Sequence, residues 1–204
     1  MDLGIKGRWA ILSGSSRGLG WACAQSIARE GANVVINGRT SADVDEAVAH
    51  LTSRYHIEAR GVVGDSATAS VQDELLSACP EPDIILLNGQ GPSPKAFLDI
   101  ESEDWDSAVR QALTGPLALV QRVVPGMRDR GFGRIVAVSS AMVKSPNSCM
   151  SLSHGTRLGL TGVLKGLSKD LAKYNVTVNQ LLPERFDTAR QEQMAHVAMK
   201  ILGI

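Results

Sequence analysis

The sequence contains 204 residues, of which 44% are hydrophobic and 21% are charged, and its 21 basic residues balance its 21 acidic residues. This length and composition fit one globular domain with a sizeable core, so we treat residues 1–204 as a single domain. The zero net charge argues against nucleic acid or a membrane surface as a partner, and no apolar run reaches transmembrane length. The 3 cysteines and 4 histidines show no disulfide framework or metal-ligand spacing, which predicts a reduced, cytoplasmic protein that binds no metal.

Strand and helix patterns alternate along the whole chain. Short apolar runs predict buried strands at residues 9–12, 33–37, 58–63, 83–88, 134–139 and 176–182. Helical periodicity predicts helices at residues 19–29, 41–55, 69–78, 104–130, 151–173 and 188–202. Strands joined by helical crossovers form a parallel sheet with helices on both faces, so the pattern predicts a doubly wound α/β fold in three α/β/α layers.

Individual residues indicate where some of these helices begin, end or bend. Gly31 is expected to stop the first helix, because glycine readily adopts the left-handed conformation found at helix ends. Ser41 is expected to cap the second helix through its hydroxyl. Pro116 and Pro125 lie within the long fourth helical region, where we expect them to bend or break it.

The turn after the first strand is rich in glycine and leads directly into a helix. Residues 13–20 read SGSSRGLG, with glycines at positions 14, 18 and 20. Glycines let a diphosphate approach the backbone, and the following helix offers unpaired N–H groups and the positive end of its dipole. The position of this turn, between the first strand and the first helix, predicts a dinucleotide site.

The residues after the second strand distinguish between the two nicotinamide dinucleotides. An acidic residue there would bind the ribose hydroxyls of NAD and repel the 2′-phosphate of NADP. The sequence instead reads Asn37, Gly38, Arg39 and Thr40. Arg39 can pair with a 2′-phosphate through a charge-assisted contact, and Arg17 in the glycine turn can approach the same phosphate. The sequence therefore favours NADP, with a merely solvated Arg39 as the alternative interpretation.

Several segments, in order, resemble the motifs of one enzyme family. Residues 13–20 match its S-G-x-x-x-G-x-G turn, and residues 87–91 (LNGQG) resemble its N-N-A-G stretch. Residues 135–140 (IVAVSS) resemble the strand that ends in its catalytic serine, and residues 178–188 resemble its V-N-x-x-x-P-G-x-x-x-T stretch. On these motifs the sequence is identified as a divergent member of the short-chain dehydrogenase/reductase family, similar to its 3-oxoacyl-carrier-protein reductase-like branch.

The resemblance implies a Rossmann-type fold, NADPH as cofactor, a small carbonyl or alcohol substrate, and association as a homodimer or homotetramer. It also implies a C-terminal strand that this sequence does not display. Together with Arg17 and Arg39, which are predicted from their charge, the predicted cofactor-binding residues are Gly14, Ser16, Gly18, Leu19, Gly20, Asp65, Ser66, Asn88, Gly89, Pro183 and Thr188. The resemblance assigns Ser140 as the catalytic serine.

The sequence departs from the family at its catalytic positions. The family carries a tyrosine thirteen residues after the catalytic serine and a lysine four residues further on, and here these positions hold Ser153 and Arg157. The family's helix asparagine corresponds to Ala112. A serine hydroxyl is a much poorer proton donor than a phenol beside a cation, and an arginine stays charged, so it cannot shuttle protons. Arg157 can still hold a nicotinamide ribose, and Ser140 can still polarise a carbonyl.

His154 is another titratable side chain near these positions. Because it follows Ser153 directly on the predicted helix, its side chain points elsewhere, which favours a packing or surface role over catalysis. Two main hypotheses remain for the function. The first is an NADP-dependent oxidoreductase that uses Ser140, Ser153 and Arg157, and the second is a dinucleotide-binding or partner protein that has lost hydride transfer. A purely structural partner is a third interpretation.

Overall fold

A computed structural model describes residues 2–184 and 186–202. The strands β1 to β6 are Trp9–Leu12, Asn33–Gly38, Ala59–Val63, Ile84–Leu87, Gly133–Val138 and Val176–Leu181. The helices α1 to α7 are Gly18–Arg29, Ser41–Tyr55, Ala69–Ala78, Ser102–Val109, Gly115–Asp129, Ser151–Leu171 and Ala189–Leu202. None of the helices in the described part of the chain is long and apolar enough to cross a lipid bilayer.

All six strands run parallel in one sheet with the order β3-β2-β1-β4-β5-β6. The order reverses at β1, because the chain proceeds outward from β1 to β3 and then returns to β4 on the other side. Leu12, at the end of β1, is in register with Ile36 of β2 and Leu86 of β4. In open α/β sheets, ligands bind in the crevice at the carboxyl ends of the strands where the order reverses.

Hydrophobic residues cover both faces of the sheet, because alternate strand residues point to opposite sides. On one face Ile11 and Ile85 pack with Leu119 of α5 and Leu164 of α6. On the other face Leu12, Ile36 and Leu86 pack with Ala24 of α1 and Leu51 of α2. The predicted three-layer α/β/α fold with a doubly wound parallel sheet is therefore confirmed.

The long helical region expected at residues 104–130 is two helices rather than one. A wide π-helical turn at Arg110–Thr114 separates α4 from α5, and the Gly115 N–H bonds to the carbonyl of Arg110. Pro116 has no N–H, so it cannot bond to the carbonyl of Ala112, and the wider turn accommodates this loss. Pro125, in contrast, lies inside α5 without ending it.

The other expected helix ends are largely as predicted. Gly31 has a φ of +79° and donates to the carbonyl of Ala28, which confirms it as the stop of α1. The prediction that Ser41 caps α2 is wrong. Thr40 is the capping position, Ser41 is the first helical residue, and the Ser41 hydroxyl bonds to Asp45 Oδ2 at 3.1 Å. A serine followed four residues later by a carboxylate has a side-chain partner available on the helix surface.

Candidate dinucleotide site

The glycine turn lies between β1 and α1, at the point where the strand order reverses. Gly14 has a φ of +54°, and a Cβ atom placed on it would lie 2.6 Å from the Asn88 carbonyl oxygen. A Cβ atom on Gly20 would lie 2.2 Å from the Gly14 carbonyl oxygen. Gly18 has a φ of +59°, and a Cβ atom there would meet nothing within 4 Å. Gly14 and Gly20 therefore permit close backbone packing, whereas Gly18 borders open space.

Side chains at the end of β2 and directly after β4 hold this turn in place. The Gly14 N–H donates to Asn37 Oδ1 at 3.2 Å, and Asn37 Nδ2 donates to the carbonyls of Val62 and Gly64 at 3.1 Å each. Asn88 Nδ2 donates to the Gly14 carbonyl at 2.7 Å. The Ser13 hydroxyl accepts from the Asn88 N–H at 2.9 Å. Asn37, which is buried, was not predicted as a site residue, although a polar side chain at the end of an apolar strand is a signal that points to it.

The two basic residues expected beside a 2′-phosphate have different partners. Arg17 forms an ion pair with Asp43 in the first turn of α2. Arg39 donates from Nη2 to the amide oxygen of Gln90, which follows β4. Because β1 lies between β2 and β4, the Arg39 side chain crosses the end of β1 where the glycine turn begins.

Asp65 and Ser66 form the turn between β3 and α3. Asp65 Oδ1 accepts from the Ala67 N–H at 3.0 Å, so this carboxylate organises its own turn. Ser66 is held through its carbonyl, which accepts from the buried Gln72 amide at 3.0 Å. The same Gln72 amide donates to the carbonyl of Gly115 at 2.9 Å, which ties this turn to the start of α5.

A cavity opens at the carboxyl edge of β1, β4 and β5. Four predicted site residues line it, namely Ser66, Asn88, Gly89 and Arg157. The other lining residues were not predicted as site residues: Ser13, Leu87, Gln90, Gly91, Gln111, Ala112, Pro116, Leu119, Val138 and Leu160. Most of these come from loops or helices whose position over the sheet is set by long-range packing rather than by a local motif.

Ser153 and Arg157 lie one turn apart on α6 and contact each other. Arg157 Nε donates to the Ser153 hydroxyl oxygen at 3.2 Å, and Arg157 Nη1 donates to the Val138 carbonyl at 3.0 Å. A Cβ atom on Gly91 would lie 2.9 Å from Arg157 Nη2. The guanidinium therefore joins α6, the end of β5 and the loop after β4.

Ser140 follows β5 and is partly exposed. Its hydroxyl oxygen accepts from the Met142 N–H at 3.2 Å, which leaves the hydroxyl hydrogen available to another acceptor. The neighbouring Ser139 is 5% exposed, and its Oγ has no hydrogen-bond partner within residues 2–184 and 186–202. The Ala141 N–H donates to the Pro183 carbonyl at 2.9 Å, which brings the segment after β6 beside Ser140.

The remaining predicted residues have mainly structural contacts. Thr188 caps α7, because its hydroxyl accepts from the Gln191 N–H at 3.3 Å. Arg185, in the same family-like stretch, lies outside the described residues. His154 is buried, its Nε2 accepts from the Asn147 N–H at 3.3 Å, and burial lowers its pKa. In the described part of the chain, no three His, Cys, Asp or Glu residues are grouped as metal ligands.

The sequence matches known relatives over nearly its whole length. It is 31% identical over 193 residues to the 3-oxoacyl-acyl-carrier-protein reductase FabG of Aquifex aeolicus, covering 92% of this chain and 77% of that protein. It is 31% identical over 185 residues to the human dehydrogenase/reductase SDR family member 4, covering 88% of this chain and 66% of that protein. The chain thus spans about two thirds to three quarters of the length of these relatives.

Solved structures match the fold equally well. The L-sorbose reductase of Gluconobacter frateurii, in complex with NADPH and L-sorbose, is 29% identical with a TM-score of 0.91, over 98% of this chain and 78% of that chain. YwfH, an NADPH-dependent reductase involved in bacilysin biosynthesis, is 25% identical with a TM-score of 0.90, over 96% of this chain and 79% of that chain. The model of the short chain dehydrogenase family matches residues 8–197, and the protein therefore belongs to the short-chain dehydrogenase/reductase family.

Proposed function

We propose that this protein is an NADP-dependent oxidoreductase that interconverts a carbonyl and an alcohol. A 3-oxoacyl thioester, the substrate type of the 3-oxoacyl reductase-like branch, is the first candidate substrate. One observation carries the proposal. A glycine turn with close backbone packing lies at the sheet crevice, and the residue that follows β2 is Arg39 rather than an acidic residue. Two similar structures support the proposal. The L-sorbose reductase structure is a complex with NADPH, and YwfH is an NADPH-dependent reductase.

The residues present fit a nicotinamide dinucleotide. A Cβ atom on Gly18 or Gly89 would meet nothing within 4 Å, so open space lies in front of the backbone at both positions. Under the proposal, the turn residues Gly14, Ser16, Arg17, Gly18, Leu19 and Gly20 hold the diphosphate, with Arg39 at the 2′-phosphate. Asp65 and Ser66 would lie beside the adenine. Asn88, Gly89, Pro183 and Thr188 would border the nicotinamide half.

NADPH, when bound, would supply the hydride. A carbonyl that accepts hydride becomes an alkoxide, so the chain must stabilise this oxygen and supply a proton. Ser140 polarises the carbonyl through its hydroxyl hydrogen, because its oxygen already accepts from the Met142 N–H. Arg157 would hold the ribose. Water or a neighbouring group would supply the proton, since a serine hydroxyl such as that of Ser153 is a poor donor and the guanidinium stays protonated.

The altered pair Ser153 and Arg157 favours a second candidate function. Arg157 Nε and Nη1 already donate to Ser153 and Val138, and no phenol stands at position 153. A protein with this arrangement can bind the dinucleotide as a sensor or a partner subunit without transferring hydride. Such a protein would bind NADPH but would consume none with any carbonyl.

Two measurements test these functions. Calorimetric titration with NADPH, and with NADH as the control, should give tighter binding of NADPH. NADPH consumption, followed at 340 nm with 3-oxoacyl thioesters and keto-sugars, should then show turnover that Ser140→Ala abolishes while NADPH affinity is kept. Tight NADPH binding without turnover on any carbonyl would favour the binding protein, and absence of binding to either dinucleotide would contradict both functions.

We also propose that the protein forms a homodimer or homotetramer through α4, α5 and α6. Leu158 and Val163 on α6 are 44% and 49% exposed, which places apolar side chains on an outer helix surface. Light scattering of the purified chain should give twice or four times the monomer mass. The Leu158→Asp substitution should lower that mass. A monomer mass for both the native protein and the variant would contradict the proposal.

A further inference from the structure

The ion pair between Arg17 and Asp43 joins the glycine turn to the second helix. Arg17 is the last residue before α1, and Asp43 is the third residue of α2. The Asp43 side chain is 13% exposed, whereas that of Arg17 is 76% exposed. The carboxylate is therefore the fixed member of the pair, and the guanidinium lies over it from the solvent side.

Two features of the fold position the Asp43 carboxylate beside the glycine turn. It lies in the first turn of α2, where the positive end of the helix dipole stabilises a carboxylate. Neighbouring side chains also pack closely on Gly38 at the end of β2, since a Cβ atom there would lie 2.3 Å from Ser16 Oγ and 3.0 Å from Val44 Cγ2. The end of β2, the glycine turn and the first turn of α2 thus form one packed unit around the pair.

The two arginines beside the proposed 2′-phosphate position consequently differ in available charge. Arg39 contacts Gln90, whose amide is neutral, so its positive charge is not compensated by this partner. Arg17 contacts a carboxylate, which compensates its charge and would repel a phosphate bound to the same guanidinium.

We propose that Asp43 determines how strongly this protein discriminates between NADPH and NADH, by neutralising Arg17 and leaving Arg39 as the main partner of the 2′-phosphate. This inference rests on the proposed cofactor site, but not on catalysis. Removing the Asp43 charge should release Arg17 for the phosphate and remove the repulsion. The effect should be confined to ligands that carry a 2′-phosphate.

Calorimetric titrations test this inference. Two ligands, 2′,5′-ADP and NADPH, carry the 2′-phosphate, and two others, 5′-AMP and NADH, lack it. Asp43→Asn should tighten binding of 2′,5′-ADP and NADPH by about fivefold, which is the scale of a partly exposed charge pair. Binding of 5′-AMP and NADH should change less than about twofold. Asp45→Asn is the matched control, since it removes the same charge from an exposed position of α2 and should leave all four affinities unchanged.

A double-mutant cycle identifies Arg17 as the intermediary. Arg17→Gln should weaken binding of 2′,5′-ADP more in the Asp43→Asn protein than in the native protein, because the native carboxylate already compensates Arg17. Thermal unfolding checks that each variant is folded. If Asp43→Asn does not fold, Asp43→Ser is used in its place. Equal losses in both backgrounds would overturn the inference.

The outcomes separate this inference from the proposed function. If Asp43→Asn tightens 2′,5′-ADP but the native protein turns over no carbonyl, the oxidoreductase is rejected and the inference holds. If the native protein consumes NADPH but Asp43→Asn and Asp45→Asn bind 2′,5′-ADP equally, only the inference fails. Absence of 2′,5′-ADP binding to both the native protein and Asp43→Asn would also overturn it.

Discussion

Arg157 Nε donates to the Ser153 hydroxyl oxygen over 3.2 Å, at the two positions where related enzymes carry a lysine and a tyrosine. The Ser153 side chain is buried, so the oxygen is held against the guanidinium within the fold. This contact preserves the cation-to-hydroxyl relationship of the family while replacing a phenol with an alcohol. Under the proposed function, proton donation is therefore a step at which this protein should differ from enzymes that carry the tyrosine.

Restoring the phenol should restore proton donation. We expect the double variant Ser153→Tyr with Arg157→Lys to raise turnover by about a hundredfold, the scale of a positioned general acid. Its stability should fall by about 1–3 kcal/mol, because the larger ring enters a buried position. Rates are measured by NADPH consumption, and stability by denaturant unfolding.

The matched control is Ser153→Phe with Arg157→Lys, which has nearly the same volume but no hydroxyl. An equal rise in this control would show that the gain does not come from the phenol. No rise in the tyrosine variant, with NADPH still bound, would contradict the assigned geometry of position 153.

Gly20 should tolerate no side chain, because its Cβ atom would lie 2.2 Å from the Gly14 carbonyl oxygen. The Gly14 carbonyl belongs to the backbone and the Cβ position is fixed by the backbone of Gly20, so one of the two backbone segments must move. Gly20→Ala should therefore lower the free energy of unfolding by about 2 kcal/mol or more. Gly162→Ala is the control, since this exposed position in α6 has nothing within 4 Å, and it should stabilise the protein by about 0.5–1 kcal/mol. Equal effects of the two substitutions would refute this packing argument.

His154 should make stability depend on pH below neutrality. Burial lowers its pKa in the folded protein, and Nε2 must be unprotonated to accept from the Asn147 N–H. Protons therefore bind more readily to the unfolded chain once the pH falls below the unfolded pKa of about 6.5. Stability should fall with pH through this window by at most about 1.4 kcal/mol per pH unit, until the pH passes below the folded pKa.

Denaturant unfolding between pH 5 and pH 8 measures this dependence. His154→Gln should flatten the curve below pH 6.5, because the titrating group is removed. A native curve that is flat or rises as the pH falls would show that His154 does not titrate in this way.

Ser139 should be replaceable without loss of stability. Its hydroxyl is buried without a hydrogen-bond partner in the described part of the chain, so Ser139→Ala removes an unsatisfied polar group. We expect an unchanged or higher free energy of unfolding, by up to about 1 kcal/mol.

Ser13→Ala provides the comparison for Ser139. The Ser13 hydroxyl is also buried, but it contacts the carbonyls of Leu86 and Asn88 and the Asn88 N–H. Its loss should cost about 1–2 kcal/mol in thermal or denaturant unfolding. A larger loss at Ser139 than at Ser13 would indicate that Ser139 has a partner in solution.

The sequence by itself determined the strand and helix alternation, and with it the doubly wound sheet. Each buried strand is a short apolar run, and the glycine turn at residues 13–20 is a local requirement that its own residues satisfy. The family motifs are local in the same sense, because each consists of a few residues at fixed spacing along the chain. The contact between Ser153 and Arg157 also follows from helical spacing of four residues.

Only the tertiary structure decided which groups those local elements bring together. Arg17 meets Asp43, Arg39 meets Gln90, and Arg157 meets the Val138 carbonyl, across 26, 51 and 19 residues of chain. Sequence spacing carries no information about such pairs, because they depend on how parallel strands align their carboxyl ends and how helices pack over them. The wide turn between α4 and α5 has a local cause in Pro116, but the approach of Gly115 to Ala67, 48 residues earlier in the chain, is decided by the tertiary structure.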